Sequence, residues 1–186
     1  DEADDGSQQI AAAADYLRIE DIVRILQVRL PHAALQDPFE VLKPAGVLRD
    51  LRLAARLAGE DSNWRGSARF DGLQLARSKD LPGVTGISGR MLGQPGHIML
   101  ELDSRAAALD YPKLFRETIE LDQLRGRLDL TRLDDGWQLR SRHLTADAPH
   151  LRTVNRLRLE HRPQQPLFVD LQSDFRDGDA ANTHRY

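Results

Sequence analysis

The segment His97-Ile-Met-Leu-Glu-Leu-Asp-Ser104 decides the fold class. Its aliphatic residues Ile98, Leu100 and Leu102 stand at every second position, and two of the three positions between and after them are acidic. Successive side chains of a β-strand point to opposite faces, so this period of two predicts a strand with one apolar and one solvated face. Strands of this kind are typical of antiparallel sheets.

The same alternation recurs through residues 46–175, and turn-forming residues such as Asp134-Asp135-Gly136 separate the alternating runs. No helical segment of the length that a βαβ crossover needs lies between these runs, which excludes a parallel sheet. We therefore predict a mainly β fold, an elongated and curved antiparallel sheet with two or three short helices packed on it.

A faint internal repeat supports an elongated sheet. Trp64 and Trp137 stand 73 positions apart (137 − 64), and each follows a strand and a polar turn. Each tryptophan opens a strand that two further strands follow. Repeated sheet-forming units indicate a sheet that grows by adding strands, which is unlike a closed enzyme fold.

The first 45 residues have a mixed pattern. Residues 8–19 are interpreted as a strand or an ordered arm. The predicted helical segments are residues 21–30, a short helix capped by Asp37, and a single turn at residues 111–116. The predicted organisation is an N-terminal strand or arm with two short helices in residues 1–45, and one continuous β domain in residues 46–186.

Composition excludes several function classes. The chain has 186 residues, a net charge of −3 and no cysteine, which excludes a disulfide framework and thiolate zinc sites and argues against a nucleic-acid partner. Its apolar runs are far shorter than the about 20 residues that span a bilayer. Because the chain starts at Asp1 rather than Met, we interpret it as a piece of a longer protein. The exposed first and last strands of such a section are expected to pair artefactually with other copies.

The sequence has no convincing catalytic or metal-binding motif. Gly83, Gly86 and Gly89 lack the spacing of a phosphate-binding loop and indicate a strand with a bulge or a close backbone approach. Other candidate groups have an ordinary surface role as the favoured interpretation. They are the histidines His143, His150 and His161, the acidic turn with Asp174, Asp177 and Asp179, and the carboxylate pair Asp103 and Asp110. We predict no catalytic residue, no metal and no cofactor.

Arginines are concentrated near the end of the chain. They are Arg140, Arg142, Arg152, Arg156, Arg158 and Arg162. One interpretation is contact with anionic headgroups or an acidic partner. The favoured interpretation is the solvated face of two strands, because these arginines alternate with leucines.

Several segments, taken in order, resemble a known family. They are Gly46-Val-Leu-Arg-Asp-Leu-Arg-Leu53, Leu81-Pro-Gly-Val-Thr-Gly-Ile-Ser-Gly-Arg90, Leu100-Glu-Leu-Asp-Ser104 followed by Asp110-Tyr-Pro-Lys-Leu-Phe115, Leu124-Arg-Gly-Arg-Leu128 with Trp137, and Asp174-Phe-Arg-Asp-Gly-Asp179. Together they resemble the YhdP proteins, a branch of the AsmA-like family of Gram-negative bacteria. The resemblance covers most of the chain from about Leu35 onward.

The resemblance implies a β-groove that carries phospholipids through the periplasm, within a long protein anchored in the inner membrane by a segment outside this chain. The partners it implies are phospholipid acyl chains, and a membrane reached through other segments of the longer protein. The candidate groove residues are the apolar residues that stand at every second position of the alternating runs: Val47, Leu51, Leu53, Leu57, Ile98, Leu100, Leu102, Leu157, Leu159, Leu167, Val169 and Leu171.

Two other functions remain open at this point. The first is a structural or assembly module of the cell envelope whose apolar face is closed by its own second layer. The second is a carbohydrate-active enzyme that uses Asp103 and Asp110. A period of two identifies an apolar face but does not say whether lipid or protein covers it.

Overall fold

The computed structural model describes residues 8–29, 43–57, 63–78, 81–113 and 115–176. Within these ranges the strands are β1 (Gln8–Arg18), β2 (Ala45–Leu57), β3 (Asn63–Leu75), β4 (Gly83–Gln94), β5 (His97–Asp110), β6 (Ile119–Leu133), β7 (Gly136–Ala148), β8 (Leu151–His161) and β9 (Phe168–Arg176), and the helix is α1 (Ile19–Arg29). All nine strands form one open antiparallel sheet in sequence order. The prediction of a mainly β, curved antiparallel sheet is confirmed.

Tight turns explain the sequential order of the strands. Two-residue turns join β4 to β5 at Pro95-Gly96, β6 to β7 at Asp134-Asp135, and β7 to β8 at Pro149-His150. A turn of this length pairs the strand it leaves with the strand it enters and fixes their register. Each strand therefore adds to the edge left by the previous one, and the sheet grows by about 4.8 Å per strand to roughly 40 Å.

The N-terminal region shares this sheet. β1 pairs with β2 along its length, so residues on both sides of the predicted boundary at residue 45 belong to one sheet. The division of the chain into two regions stays a prediction. Helix α1 begins at Ile19, two residues earlier than predicted, and the Glu20 carboxylate accepts a hydrogen bond from the Gly46 backbone N–H at 3.4 Å. The helix predicted from Asp37 lies outside the described residues.

The predicted helical turn after β5 is a single turn. The Phe115 backbone N–H donates to the Tyr111 carbonyl at 3.0 Å, which is one α-helical hydrogen bond. Its residue Leu114 lies outside the described residues. The two-unit repeat agrees with the strand order, because Trp64 and Trp137 are each the second residue of their strands, β3 and β7.

Bends in the strand interiors curve the sheet. The register shifts within β2–β3, β3–β4, β4–β5, β6–β7 and β7–β8. Four residues near these shifts have left-handed backbone angles, Asp50, Gly72, Gly86 and Ala106, with φ of 51°, 60°, 71° and 55°. A β-bulge bends its strand and increases the local twist. Because the bends lie inside the strands and not at the turns, the sheet folds about a line that crosses the strands.

Two serines satisfy the backbone groups that the bends remove from the ladder. Ser88 Oγ accepts a hydrogen bond from the Gly72 N–H at 3.0 Å. Ser104 Oγ accepts from the Ser88 N–H at 2.9 Å and donates to the Ser88 carbonyl at 3.1 Å. Unpaired backbone groups in a buried position cost free energy, so these side chains stabilise the bend.

Candidate functional site

The concave face of the sheet is an apolar trough. Its floor consists of Phe70, Ile87, Leu102 and Ala107, which are between 2% and 8% exposed. Half-buried aliphatic residues pack around this floor, including Leu73, Val84, Leu100, Leu121, Leu128 and Leu144. Side chains this deeply buried in a single sheet require the sheet to curl around them, so they identify the inner side of the bend.

One wall of the trough is a row of apolar residues that crosses all nine strands. The residues stand opposite one another in the strand register: Ala12, Leu53, Gly66, Gly93, Ile98, Leu130, Leu139, Leu159 and Val169. Directly opposed residues of neighbouring antiparallel strands share a face and lie within contact distance. The wall is therefore continuous along the trough.

The opposite wall is formed by a second row beyond the bend. Leu75, Val84, Leu109 and Ile119 stand opposite one another on β3, β4, β5 and β6. The floor and the two walls together form the cross-section of the trough. The long axis of the trough runs across the strands, from β1 towards β9.

The predicted groove residues other than Val47 divide into three groups. The first group lies at strand positions whose side chains face the concave side: Leu51, Leu53, Ile98, Leu100, Leu157, Leu159, Val169 and Leu171. Leu167 stands just before β9 and continues the same alternation. Leu102 belongs to the floor, where it is 7% exposed. The side chain of Leu57 lies outside the described part of the chain. Contact of any of these residues with lipid stays a prediction.

Val47 does not lie on the concave face, contrary to the prediction from the sequence alternation. Leu48, and not Val47, stands opposite Phe70 and packs on the floor. The reason is Asp50, whose left-handed φ of 51° accompanies a register shift between Arg49 and Arg52. One extra residue in a strand moves the alternation to the other face, so Val47 lies on the outer side.

The described residues place no second layer over the trough. Extensive contacts join only consecutive strands, and join α1 to β1 and β2. At the last strand the concave face is open, because Val169, Leu171 and Phe175 are 43%, 45% and 70% exposed. Apolar side chains aligned on one face and left exposed mark a binding surface rather than an ordinary solvated one.

The outer face carries many charged side chains, and several of them form ion pairs. Arg90 contacts Glu101 at 2.6 Å, and Arg125 contacts Asp103 at 3.0 Å. Exposed ion pairs contribute little stability individually, but they keep this face hydrated. The two faces therefore differ sharply in polarity, as the alternation predicts.

Three of the six arginines that are concentrated near the end of the chain form ion pairs on this face. Arg152 contacts Asp147 at 2.8 Å, Arg158 contacts Glu160 at 2.6 Å, and Arg162 contacts Glu160 at 2.9 Å. Arg140, Arg142 and Arg156 are exposed. The interpretation of a solvated face fits these positions.

Glu160 makes one pH-dependent contribution to stability. Hydrogen bonds from Arg158, then Arg162 and Gln138, lower the pKa of this carboxyl to about 2. A lowered folded-state pKa gives stability that is present above the unfolded pKa and is lost as the pH falls towards the folded pKa. We expect wild type to be more stable than Glu160→Gln at pH 7, and the difference to vanish between pH of about 4.5 and 2. Urea midpoints of the two proteins against pH measure this, and a difference that persists at pH 2 would contradict it.

The other candidate groups do not assemble into a site. Asp103 and Asp110 are seven positions apart on β5, about 20 Å by strand geometry, whereas glycosidase carboxylates are separated by roughly 5–9.5 Å. Arg125 binds the first and Arg77 the second, at 3.0 and 3.2 Å. These two aspartates therefore do not form a glycosidase pair.

The candidate metal ligands are also dispersed. His143 lies 3.4 Å from Thr145 Oγ1, and the His161 ring packs on Trp137 with centroids 5.7 Å apart. Asp177 and Asp179 lie outside the described residues. In the described part of the chain no group of three or more His, Asp or Glu side chains could hold a metal ion.

The sequence did not predict trough residues on β1, β3, β4, β6 and β7, although the structure places several there. Leu128 and Leu130 alternate with Arg127 and Asp129, so the same period of two would have found them. The place of Phe70 in the floor is harder to predict from the sequence, because it depends on where the strands bend.

An open antiparallel sheet with a continuous apolar concave face and an ion-paired outer face defines a β-groove protein. A family model described as "YhdP protein" matches residues 2–186, and the chain belongs to this family, in agreement with the resemblance noted in the sequence. No curated protein and no solved structure matches the chain. Membership of the family fits an envelope protein with a role in lipid transport. Among the described helical residues there is no segment long and apolar enough to cross a membrane.

Proposed function

We propose that this chain is a non-enzymatic, periplasmic segment of a protein that transfers phospholipids between the inner and outer membranes. The longer protein is anchored in the inner membrane by a segment outside this chain, and the trough shields acyl chains from water. The observation that supports this proposal is the apolar row from Ala12 to Val169, which crosses all nine strands with no covering layer in the described residues.

The energetics favour an apolar ligand in the trough. Each methylene group moved from water into apolar surroundings stabilises the complex by about 0.8 kcal/mol. An acyl chain along the wall buries its own surface and that of the leucines in the same step. Because the trough offers aliphatic side chains and no charged group in its wall row, this row binds the acyl chains of a lipid and does not recognise a headgroup.

The proposal is tested by two matched variants on β9. Leu171 faces the trough, and Gln172, the next residue, faces outward; both are exposed. Leu171→Asp and Gln172→Asp change the net charge equally. We expect Leu171→Asp to lower the phospholipid retained per chain at least about tenfold, because a carboxylate against acyl chains costs more than about 1.4 kcal/mol.

The measurement is native mass spectrometry of each purified protein, followed by organic extraction and quantification of lipid. Gln172→Asp is the control and should retain lipid at the wild-type level. A wild-type protein that is consistently empty would favour the structural or assembly module. Equal loss in both variants would show that charge, rather than the trough, governs retention.

A further inference from the structure

The apolar wall that crosses all nine strands changes its chemistry at its upper edge on β6, β7 and β8. Two positions beyond the leucines of the wall, towards the turns, three residues continue the alternation on the concave side: Arg132, Trp137 and His161. Arg132 stands opposite Trp137, and Trp137 stands opposite His161, so the three share one face. We call them the rim cluster. The aliphatic wall therefore ends in a cation and two aromatic rings.

The rim cluster has a defined geometry. The Arg132 backbone N–H donates to the Gly96 carbonyl at 2.8 Å, which holds this end of β6 against the turn between β4 and β5. The Trp137 and His161 rings pack with their centroids 5.7 Å apart and their planes inclined by 33°. Both of these residues are half-buried, whereas Arg132 is exposed. The Arg132 side chain is therefore accessible to a ligand that lies along the wall.

Arg132 differs from arginines of the outer face such as Arg90 and Arg125, each of which contacts a carboxylate. In the described part of the chain no carboxylate lies within ion-pair distance of Arg132. Asp135, in the turn that follows β6, contacts Arg162 at 3.0 Å. A guanidinium is a planar fork of N–H donors that matches the oxygens of a phosphate group. Arg132 thus offers this fork beside an apolar wall.

The other tryptophan of the internal repeat has different neighbours. Trp64 stands opposite Ala55 in the strand register. Its ring lies over Gly93, where a Cβ would come within 2.8 Å of two ring carbons. Trp64 therefore fills the wall of the trough above a glycine. The second repeat unit differs from the first because it places a cation beside its tryptophan.

We infer that Arg132 binds the phosphate group of a phospholipid whose acyl chains lie against the wall of the trough. This inference rests on the proposed function. Trp137 and His161 pack against the glycerol region of the same lipid, because a ring that combines an apolar body with an N–H donor suits the boundary between apolar and hydrated surroundings. The acyl chains then begin beside Leu130 and Leu139, which are the wall residues next to the cluster.

The test compares two lipids that differ only in the phosphate. The delipidated chain is loaded from detergent micelles with dioleoyl phosphatidate or with dioleoylglycerol, and the lipid retained per chain is quantified by native mass spectrometry. We expect wild type to bind phosphatidate about 3- to 10-fold more tightly, between the values of an exposed ion pair and of a hydrogen bond to a charged group. Arg132→Gln should bind both lipids at the dioleoylglycerol level, and Arg132→Lys, which keeps the charge, should retain part of the preference.

Arg140→Gln is the matched control. Arg140 is also exposed, but it stands opposite Asp129 and Arg158 on the outer face. Its substitution removes the same charge, so we expect the preference for phosphatidate to stay at the wild-type level. Both glutamine variants should unfold at the wild-type urea concentration, because both side chains are exposed.

Each other outcome overturns a defined part of the inference. Equal binding of the two lipids by wild type would overturn the inference and leave the proposed function standing. A preference that survives in Arg132→Gln, or that Arg140→Gln loses to the same extent, would overturn the assignment to the rim cluster. Inorganic phosphate that competes as tightly as phosphatidate would assign the cluster to a free ion rather than to a lipid. Failure of wild type to bind either lipid would overturn the proposed function and the inference with it.

Discussion

Leu102→Asp is expected to unfold the sheet. Leu102 is 7% exposed and packs with Phe70, Ile87 and Ala107 in the floor of the trough. An uncompensated carboxylate in such a place, together with the lost packing of the leucine, lowers the free energy of unfolding by about 4 kcal/mol or more. A domain with a total stability of about 5–15 kcal/mol loses a large part of it. Circular dichroism during urea unfolding measures the change.

Leu171→Asp is the matched control for this experiment. It places the same carboxylate on the same face, at a residue that is 45% exposed at the open last strand. We expect its free energy of unfolding to fall by less than about 1 kcal/mol, because the carboxylate stays hydrated. A wild-type unfolding midpoint in Leu102→Asp would show that water reaches the floor, and would contradict the trough described above.

Gly89→Ala, which adds a single methyl group, is expected to destabilise the sheet strongly. A Cβ at this position would collide with the Glu101 carbonyl oxygen of β5 and would lie 2.9 Å from Phe70 Cζ. The carbonyl belongs to the neighbouring backbone, so β4 and β5 must move apart. We expect the free energy of unfolding to fall by about 3 kcal/mol, the upper end of the cost of overpacking.

Gly66→Ala provides the comparison. Gly66 faces the same trough two strand positions from Ala68, but a Cβ there meets only ordinary contacts, at 3.5 Å to Leu53 Cδ1 and 3.5 Å to the Trp64 ring. Since alanine also restricts the unfolded chain, we expect stability to be unchanged or raised by up to about 1 kcal/mol. Chemical unfolding of both variants measures the difference, and equal effects would show that β4 and β5 are not so closely apposed.

Floor residues and exposed trough residues differ in their suitability for ligand-binding experiments. Leu102 was predicted as a groove residue, yet it supports the fold, and its substitution would remove ligand binding merely by unfolding the chain. Leu171 and Val169 have the same parity and remain exposed. Substitutions on the last strand therefore test binding with the least effect on the fold.

The fold class was predictable because it depends on a local pattern. Ile98, Leu100 and Leu102 needed no knowledge of their neighbours to be placed on one face, and the tight turns then dictate sequential pairing. The same pattern would have found Leu128 and Leu130. The error at Val47 shows the limit of this reasoning, because a parity holds only as far as the next bulge.

Local alternation along the chain is enough to establish a sheet with one aliphatic and one charged face, since side-chain direction in a strand follows from position alone. Where the strands bend depends on contacts between strands. Ala106 adopts a left-handed angle that its residue type does not signal, and the bends depend on hydrogen bonds between distant residues such as Ser88 and Ser104. Those bends assign Val47 to the outer face, bury Leu102 and bring Gly89 against Glu101. Each is a relation between strands, and a local pattern carries no information about it.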